Sequence, residues 1–199
     1  MKKDYILYVK IKLEIDMKKK ILYIYGYGSN PIDSSTMKVM KEVVEELGYE
    51  LVSIKYSQED PDNGLNTLEK YIRDNNIQYV IGHSLGGFMT LCINEDIKKL
   101  VINPCLKPHF EIPKLGDVNT KTIYEYEYLS EWFRSSDDTP WIYSAENVMG
   151  LFGDHDELFS YYESFKKLYP RAYYINADHR PKKEAFTKDI KKKIKEFFV

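Results

Sequence analysis

The chain alternates between short apolar runs and longer segments in which apolar residues recur every three or four positions. The runs at 21–25, 77–81 and 100–102 are predominantly apolar, which is typical of strands buried on both faces of a parallel sheet. The segments at 36–47 and 65–74 carry their apolar residues at helical spacing. Strands and helices that alternate in this way predict an α/β fold, with a mostly parallel central sheet and helices on both faces.

The same alternation continues towards the carboxyl end of the chain. It predicts further strands at 49–56, 148–152 and 172–176, and further helices at 86–97 and at 157–169, with a last helix that ends at residue 198. The boundaries follow turn and capping residues, such as Ser34 or Ser35 before the first helix and Gly48 after it.

Two segments depart from this rhythm. Apolar and polar residues alternate strictly in 5–15, so we interpret 1–16 as an N-terminal extension with an extra edge strand, ahead of a single domain at 17–199. The aromatic-rich segment 109–146 is too long for an ordinary connection. We interpret it as a lid-like insertion over the carboxyl edge of the sheet. The alternative is an aromatic satellite core that touches no ligand.

Composition excludes several classes of protein. A chain of 199 residues with 43% hydrophobic residues is neither disordered nor dependent on disulfides. No run reaches the ~20 apolar residues of a membrane span, and a net charge of −2 gives no reason to expect nucleic acid or membrane as a partner. Cys92 and Cys105 are too few for a disulfide framework, so we expect reduced thiols in a cytoplasmic protein.

The strongest chemical signal is the sequence Gly82-His83-Ser84-Leu85-Gly86, which follows a predicted strand and precedes a predicted helix. A sharp strand-to-helix turn strains the serine and exposes its hydroxyl, and the flanking glycines are needed because side chains there would clash. This pattern predicts a nucleophilic Ser84. The alternative is a glycine-rich turn with an inert serine.

A serine hydroxyl needs a base, and the chain has four histidines. His83 adjoins the serine on a turn that directs its side chain away, His109 lies in the insertion, and His155 follows the strand at 148–152. His179 follows the last predicted strand, which returns it to the carboxyl edge of the sheet. We therefore favour His179 as the base; the alternative is a histidine of a surface loop.

A carboxylate must accept a hydrogen bond from the second nitrogen of that histidine. Asp154 and Asp156 both follow the strand at 148–152, whereas Asp178 adjoins His179 and neighbours in sequence rarely face each other. We favour Asp156 over Asp154. The order serine, acid, histidine is then that of one large hydrolase fold.

An acyl-transfer site also needs two backbone amides directed at the developing oxyanion. One is expected from Leu85, the residue after the serine. The other is expected from Tyr27, in the loop after the strand at 21–25, where Gly26 and Gly28 allow the backbone to approach. The alternative is a plain turn.

Several segments resemble one known family. The chain is similar to α/β-hydrolases, and among them to the small esterases of the YqiA/YcfP type. The likeness rests on the segments ILYIYGYGSNP, VIGHSLGGF, LVINPCLKP and the pair GDHDEL and ADHRP, which span residues 21 to 181. It implies a nucleophile at Ser84, an acid at Asp156 and a base at His179. The family usually has His-Gly after the first strand, where this chain has Tyr25-Gly26.

Together these patterns predict a serine hydrolase that cleaves a small carboxylic ester or thioester through an acyl-enzyme intermediate, with no metal or organic cofactor. Aromatic side chains are expected to line the substrate pocket, namely Tyr25, Trp132 and Phe133. The first alternative is a non-catalytic binding module that retains the hydrolase shape. The second is a peptidase or thioesterase that uses the same machinery.

Overall fold

The structure is a computed structural model that describes residues 19–134 and 145–199. Within these residues, six strands form one sheet: β1 (Lys20–Ile24), β2 (Glu50–Val52), β3 (Tyr79–His83), β4 (Lys98–Ile102), β5 (Val148–Gly153) and β6 (Ala172–Ile175). The α-helices are α1 (Ser35–Glu46), α2 (Pro61–Asp74), α3 (Leu85–Cys92), α4 (Pro108–Glu111), α5 (Thr120–Arg134), α6 (Tyr162–Leu168) and α7 (Lys188–Phe197). The predicted edge strand at 5–15 lies outside the described residues.

The sheet has the strand order β2-β1-β3-β4-β5-β6, and every neighbouring pair is parallel. This arrangement confirms the predicted α/β fold class. Because all strands run the same way, the loops that follow β1, β3, β4, β5 and β6 emerge at one edge of the sheet. Residues far apart in sequence therefore meet at that carboxyl edge, as is usual for ligand sites in open parallel sheets.

The core lies on both faces of the sheet. Alternate side chains of β4 belong to two separate apolar clusters: Leu100 and Ile102 to a larger one, Val101 to a smaller one that includes Phe152 and Phe165. Successive side chains of a strand point to opposite faces, so the two clusters sandwich the sheet. This double burial explains why the strands have near-continuous apolar sequences.

Several elements differ in length from their predictions: the helix predicted at 86–97 ends at Cys92, and the helix predicted at 157–169 spans only Tyr162–Leu168. The strand predicted at 49–56 ends at Val52. Beyond it a side chain replaces the backbone as the hydrogen-bond donor to β1, because the Ser53 hydroxyl donates to the Tyr23 carbonyl at 2.8 Å. Helix α2 begins four residues earlier than predicted. Asp60 caps it by accepting from the Asn63 amide at 3.0 Å, and Pro61 occupies the first turn, where its missing N–H costs nothing.

The described part of the predicted insertion contains α4, a 3₁₀ turn at Ile112–Lys114 and α5. Helix α5 packs beside α2 and buries Tyr126, Leu129 and Ser130. No helix within the described residues is both long enough and apolar enough to cross a membrane.

Candidate active site

Ser84 lies at a strained bend between β3 and α3. Its φ of 56° and ψ of −121° fall in a region that residues with a side chain rarely adopt. Two hydrogen bonds to the end of β4 and the loop after it hold this conformation. The Ser84 amide donates to the Ile102 carbonyl at 3.0 Å, and the Ser84 carbonyl accepts from the Cys105 amide at 3.0 Å. The bend therefore presents the hydroxyl at the carboxyl edge of the sheet.

The glycines around Ser84 are dictated by close backbone contacts. A Cβ on Gly86 would collide with the carbonyl groups of Ile24 and Tyr25, and a Cβ on Gly82 would collide with the Thr90 hydroxyl and the Gly86 carbonyl. Any side chain at either position would push α3 away from β1 and β3. The Gly-x-Ser-x-Gly spacing is thus a packing requirement of this turn.

The structure brings His179 and Asp156 together. The imidazole is 3% exposed, and its Nδ1 donates to Asp156 Oδ2 at 2.9 Å. The other oxygen of Asp156 accepts from the amides of Leu158 at 2.8 Å and Phe159 at 3.0 Å. Burial opposes ionisation of Asp156, but these hydrogen bonds, led by that from His179, hold the pKa of its carboxyl below the ordinary value. The carboxylate stays ionised and fixes Nδ1–H, which leaves Nε2 as the acceptor.

Three groups anchor the loop that carries His179. The carbonyl of His179 accepts from His83 Nε2 at 2.8 Å and from Asn103 Nδ2 at 3.0 Å, while its amide donates to Glu157 Oε2 at 2.9 Å. Asn103 also accepts from the Gly153 amide at 2.7 Å, so it joins the ends of β4, β5 and β6. Sequence reasoning missed these supporting roles of Asn103 and Glu157, although both lie in segments that carry the family resemblance.

Ser84 and His179 line one cavity of about 380 Å³. No hydrogen bond joins the Ser84 hydroxyl to the His179 ring in this structure, and such contacts commonly tighten only when substrate binds. The rest of the lining is mostly polar, with Leu115 and Leu158 as its apolar side chains apart from the tyrosine of the loop after β1. The other polar lining residues are Ser29, Asn30, Asp33, Ser34, Ser35, Thr36, His83 and Arg180.

The backbone after β1 lies directly against the serine. An added Cβ on Gly26 would come 3.1 Å from Ser84 Cβ and 3.6 Å from its Oγ. The next residue is Tyr27, and Leu85 opens α3 on the other side of the serine. Neither the Tyr27 nor the Leu85 amide donates to any residue in the described ranges. Both N–H groups are therefore without an acceptor among the described residues, and both belong to segments adjacent to Ser84.

The other candidate residues lie elsewhere. His109 is buried with its Nδ1 3.2 Å from the Ser130 hydroxyl, and His155 is an exposed residue 3.7 Å from Asp154. Asp154 accepts from the Ala177 amide at 3.1 Å rather than from a histidine. The structure thus leaves both histidines and Asp154 out of the group that surrounds Ser84.

Of the three aromatic residues predicted to line the substrate pocket, the structure describes the side chain of Tyr25 alone. Tyr25 is 2% exposed and its ring centre is 4.9 Å from that of Tyr56, so it packs beneath the loop and is absent from the cavity lining. Its hydroxyl accepts from the Tyr56 amide at 3.2 Å, which explains how the chain accommodates a tyrosine before Gly26. The side chains of Trp132 and Phe133 lie outside the described part of the chain.

We expect His83 to make folding sensitive to acid. Burial, with a smaller contribution from the neighbouring His179, lowers the pKa of His83 to about 3, whereas in the unfolded chain it is about 6.5. Between these values only the unfolded chain binds the proton. Stability should therefore fall by about 1.4 kcal/mol per pH unit as the pH drops below ~6.5.

Urea unfolding of the wild type and of His83→Gln, between pH 7 and 4.5, measures this effect. The glutamine amide can still donate to the carbonyl that His83 binds, but it takes up no proton. We expect a flatter pH dependence in His83→Gln than in the wild type. Parallel curves for the two proteins would show that His83 is not the source of the acid sensitivity.

The sheet and the serine turn after its third strand define an α/β-hydrolase fold. Est1E from Butyrivibrio proteoclasticus superposes with a TM-score of 0.63 at 17% identity, over 92% of this chain and 90% of that one. The esterase Pf2001 from Pyrococcus furiosus gives 0.58 at 18%, over 92% and 82%. A putative hydrolase of the alpha/beta superfamily from Xanthomonas campestris pv. campestris gives 0.58 at 16%, over 92% and 98%.

Residues 20–199 match the family described as "Uncharacterised protein family (UPF0227)", and the chain belongs to this family. The match confirms the resemblance to YqiA-type proteins that the sequence motifs indicated. Among curated proteins no match was found. At identities below 20%, the similarity to the solved esterases shows the fold, and their activity enters only as support for the proposal below.

Proposed function

We propose that this protein is a serine hydrolase that cleaves a small carboxylic ester or thioester. The observation that carries the proposal is that the strained Ser84 lines one cavity together with His179, whose ring is hydrogen-bonded to Asp156. A hydroxyl, an imidazole with a free nitrogen and a buried carboxylate are the groups that acyl transfer needs. The esterase names of several proteins with the same fold support this reaction class.

In the acylation step, Ser84 Oγ attacks the acyl carbonyl carbon while His179 Nε2 takes the hydroxyl proton. The anionic Asp156 stabilises the imidazolium that forms and keeps its orientation. The amides of Tyr27 and Leu85 donate to the oxyanion, a contact stronger in the transition state than in the ground state. The imidazolium then protonates the leaving alcohol or thiol, and the acyl group remains on Ser84.

In the deacylation step, His179 accepts a proton from water as the water attacks the acyl carbon. Collapse of the second tetrahedral intermediate breaks the bond to Ser84, whose oxygen recovers the proton, and releases the carboxylic acid. Besides water and substrate, this step uses only groups of the protein. The modest volume of the cavity supports a small substrate rather than a long acyl chain.

A fluorophosphonate probe tests the proposal, because it reacts only with an activated serine. We expect one adduct, located at Ser84 by mass spectrometry, and no adduct in Ser84→Ala. Ser35 is an exposed serine of the same cavity, so Ser35→Ala should keep the adduct and serves as the matched control. Labelling should parallel hydrolysis in a panel of p-nitrophenyl esters of increasing acyl length, with the short esters cleaved fastest.

A folded wild-type protein that is neither labelled nor active on any ester of the panel would overturn the proposal in favour of a non-catalytic binding module. Labelling at a serine other than Ser84 would also contradict it.

A further inference from the structure

The loop that carries Tyr27 is fastened by a single side-chain amide. Gln58, in the segment between β2 and α2, donates from Nε2 to the Gly26 carbonyl at 2.8 Å and accepts at Oε1 from the Gly28 amide at 3.0 Å. The Gly26 carbonyl belongs to the same peptide group as the Tyr27 N–H. Gln58 therefore binds both of the peptide groups that flank the Tyr27 α-carbon.

This contact determines where the Tyr27 N–H points. In a trans peptide the C=O and N–H vectors are opposed, so holding the Gly26 carbonyl on the Gln58 side directs the Tyr27 N–H to the opposite side. An amide whose carbonyl accepts hydrogen bonds is also polarised and becomes a stronger donor. The same carbonyl accepts a weaker bond from the Ser29 amide at 3.2 Å, within the loop itself.

Gln58 is itself held in one orientation. Its Nε2 lies 3.3 Å from the Tyr56 hydroxyl, which donates to the Tyr25 carbonyl at 2.6 Å. Its backbone carbonyl accepts from the hydroxyl of Tyr126, a buried residue of α5, at 2.8 Å. A flipped Gln58 amide would set two carbonyl oxygens and two N–H groups against each other, so only the observed orientation satisfies all partners.

We propose that Gln58 is a positioning residue that directs the Tyr27 N–H at the oxyanion. The inference rests on the function proposed above and adds to it a residue outside the serine, histidine, acid and amide set. It also gives part of the predicted insertion a supporting role, because α5 bonds to Gln58 through Tyr126.

Two substitutions at Gln58 test this role. Gln58→Ala removes both bonds to the loop. Gln58→Glu keeps an acceptor for the Gly28 amide. Its second carboxylate oxygen, however, faces the Gly26 carbonyl oxygen and repels it. Both should lower kcat about 10- to 100-fold with little change in KM, since the misdirected donor matters mainly in the transition state. The control is Gln78→Ala, because Gln78 is the other glutamine and lies exposed at the opposite edge of the sheet.

A boronic acid that forms an anionic tetrahedral adduct with the serine provides a readout that a merely structural role would not change. Its affinity should fall in proportion to kcat/KM in both Gln58 variants, while urea unfolding shows them folded under the assay conditions. If Gln58→Ala does not fold, the kcat and the boronate affinity of Gln58→Glu alone test the inference. Wild-type kcat and boronate affinity in a folded Gln58→Glu would overturn the inference, whereas a wild type without activity or label would instead overturn the proposed function.

Discussion

Replacing His179 with alanine is expected to lower kcat by about 10⁵- to 10⁶-fold, and Ser84→Ala should lower it by a similar factor. In the proposed mechanism each change removes one half of a single proton-transfer unit, so the group that remains would not act alone. The double variant should therefore be no slower than either single variant. Single-turnover and steady-state assays with a p-nitrophenyl ester measure these three rates.

The matched control for this prediction is His155→Ala. His155 is an exposed histidine in the loop after β5 and stands outside the cavity that contains Ser84. Its replacement should leave kcat within about twofold of the wild type, since surface changes rarely disturb a distant site. A double variant with the product of the two single losses would contradict a shared proton-transfer unit, as would a His179→Ala protein that keeps a tenth or more of the activity.

The second large effect is on folding. Gly86→Ala is expected to reduce the free energy of unfolding by about 3 kcal/mol or more, because the new methyl group would overlap the Ile24 and Tyr25 carbonyls at the carboxyl end of β1. Backbone atoms of a strand that is paired on both sides cannot rotate away as a side chain can. The change should therefore shift α3 or prevent the chain from folding.

Urea titration followed by circular dichroism measures this loss, and Gly116→Ala is its matched control. A Cβ on Gly116 meets nothing within 4 Å, and its φ lies outside the left-handed region. The same substitution there should change stability by no more than about 0.5 kcal/mol. If Gly86→Ala were as stable as Gly116→Ala, the close contact of α3 with the end of β1 would be disproved.

The parts of this molecule that could be predicted from sequence are those with a period or a fixed local spacing. The apolar runs predict the strands, and Gly82 and Gly86 predict the bend that exposes Ser84. The parallel topology then limits which later loops can reach it, and this limit is enough to favour Asp156 and His179 from the sequence. Their catalytic roles remain predictions until the variants are measured.

The parts that could not be predicted depend on single long-range contacts of side chains with backbone groups. Gln58 binds a loop 30 residues earlier in the chain and Asn103 binds one 76 residues later, and neither contact has a period or a motif. The position of Tyr25 was missed for a related reason. Once a strand ends, the alternation of faces no longer says where the next side chain goes, and here the ring turns inward onto Tyr56.

The order of assembly follows from the place of β6 at one end of the sheet. Ser84 leaves the ribosome well before His179, and the carbonyl of His179 is anchored only when β6 has joined β5 and Asn103. A growing or truncated chain that stops before β6 therefore has Ser84 but lacks His179, the base of the proposed mechanism. In the proposed mechanism, the serine would therefore gain its base only once β6 has been added to the sheet.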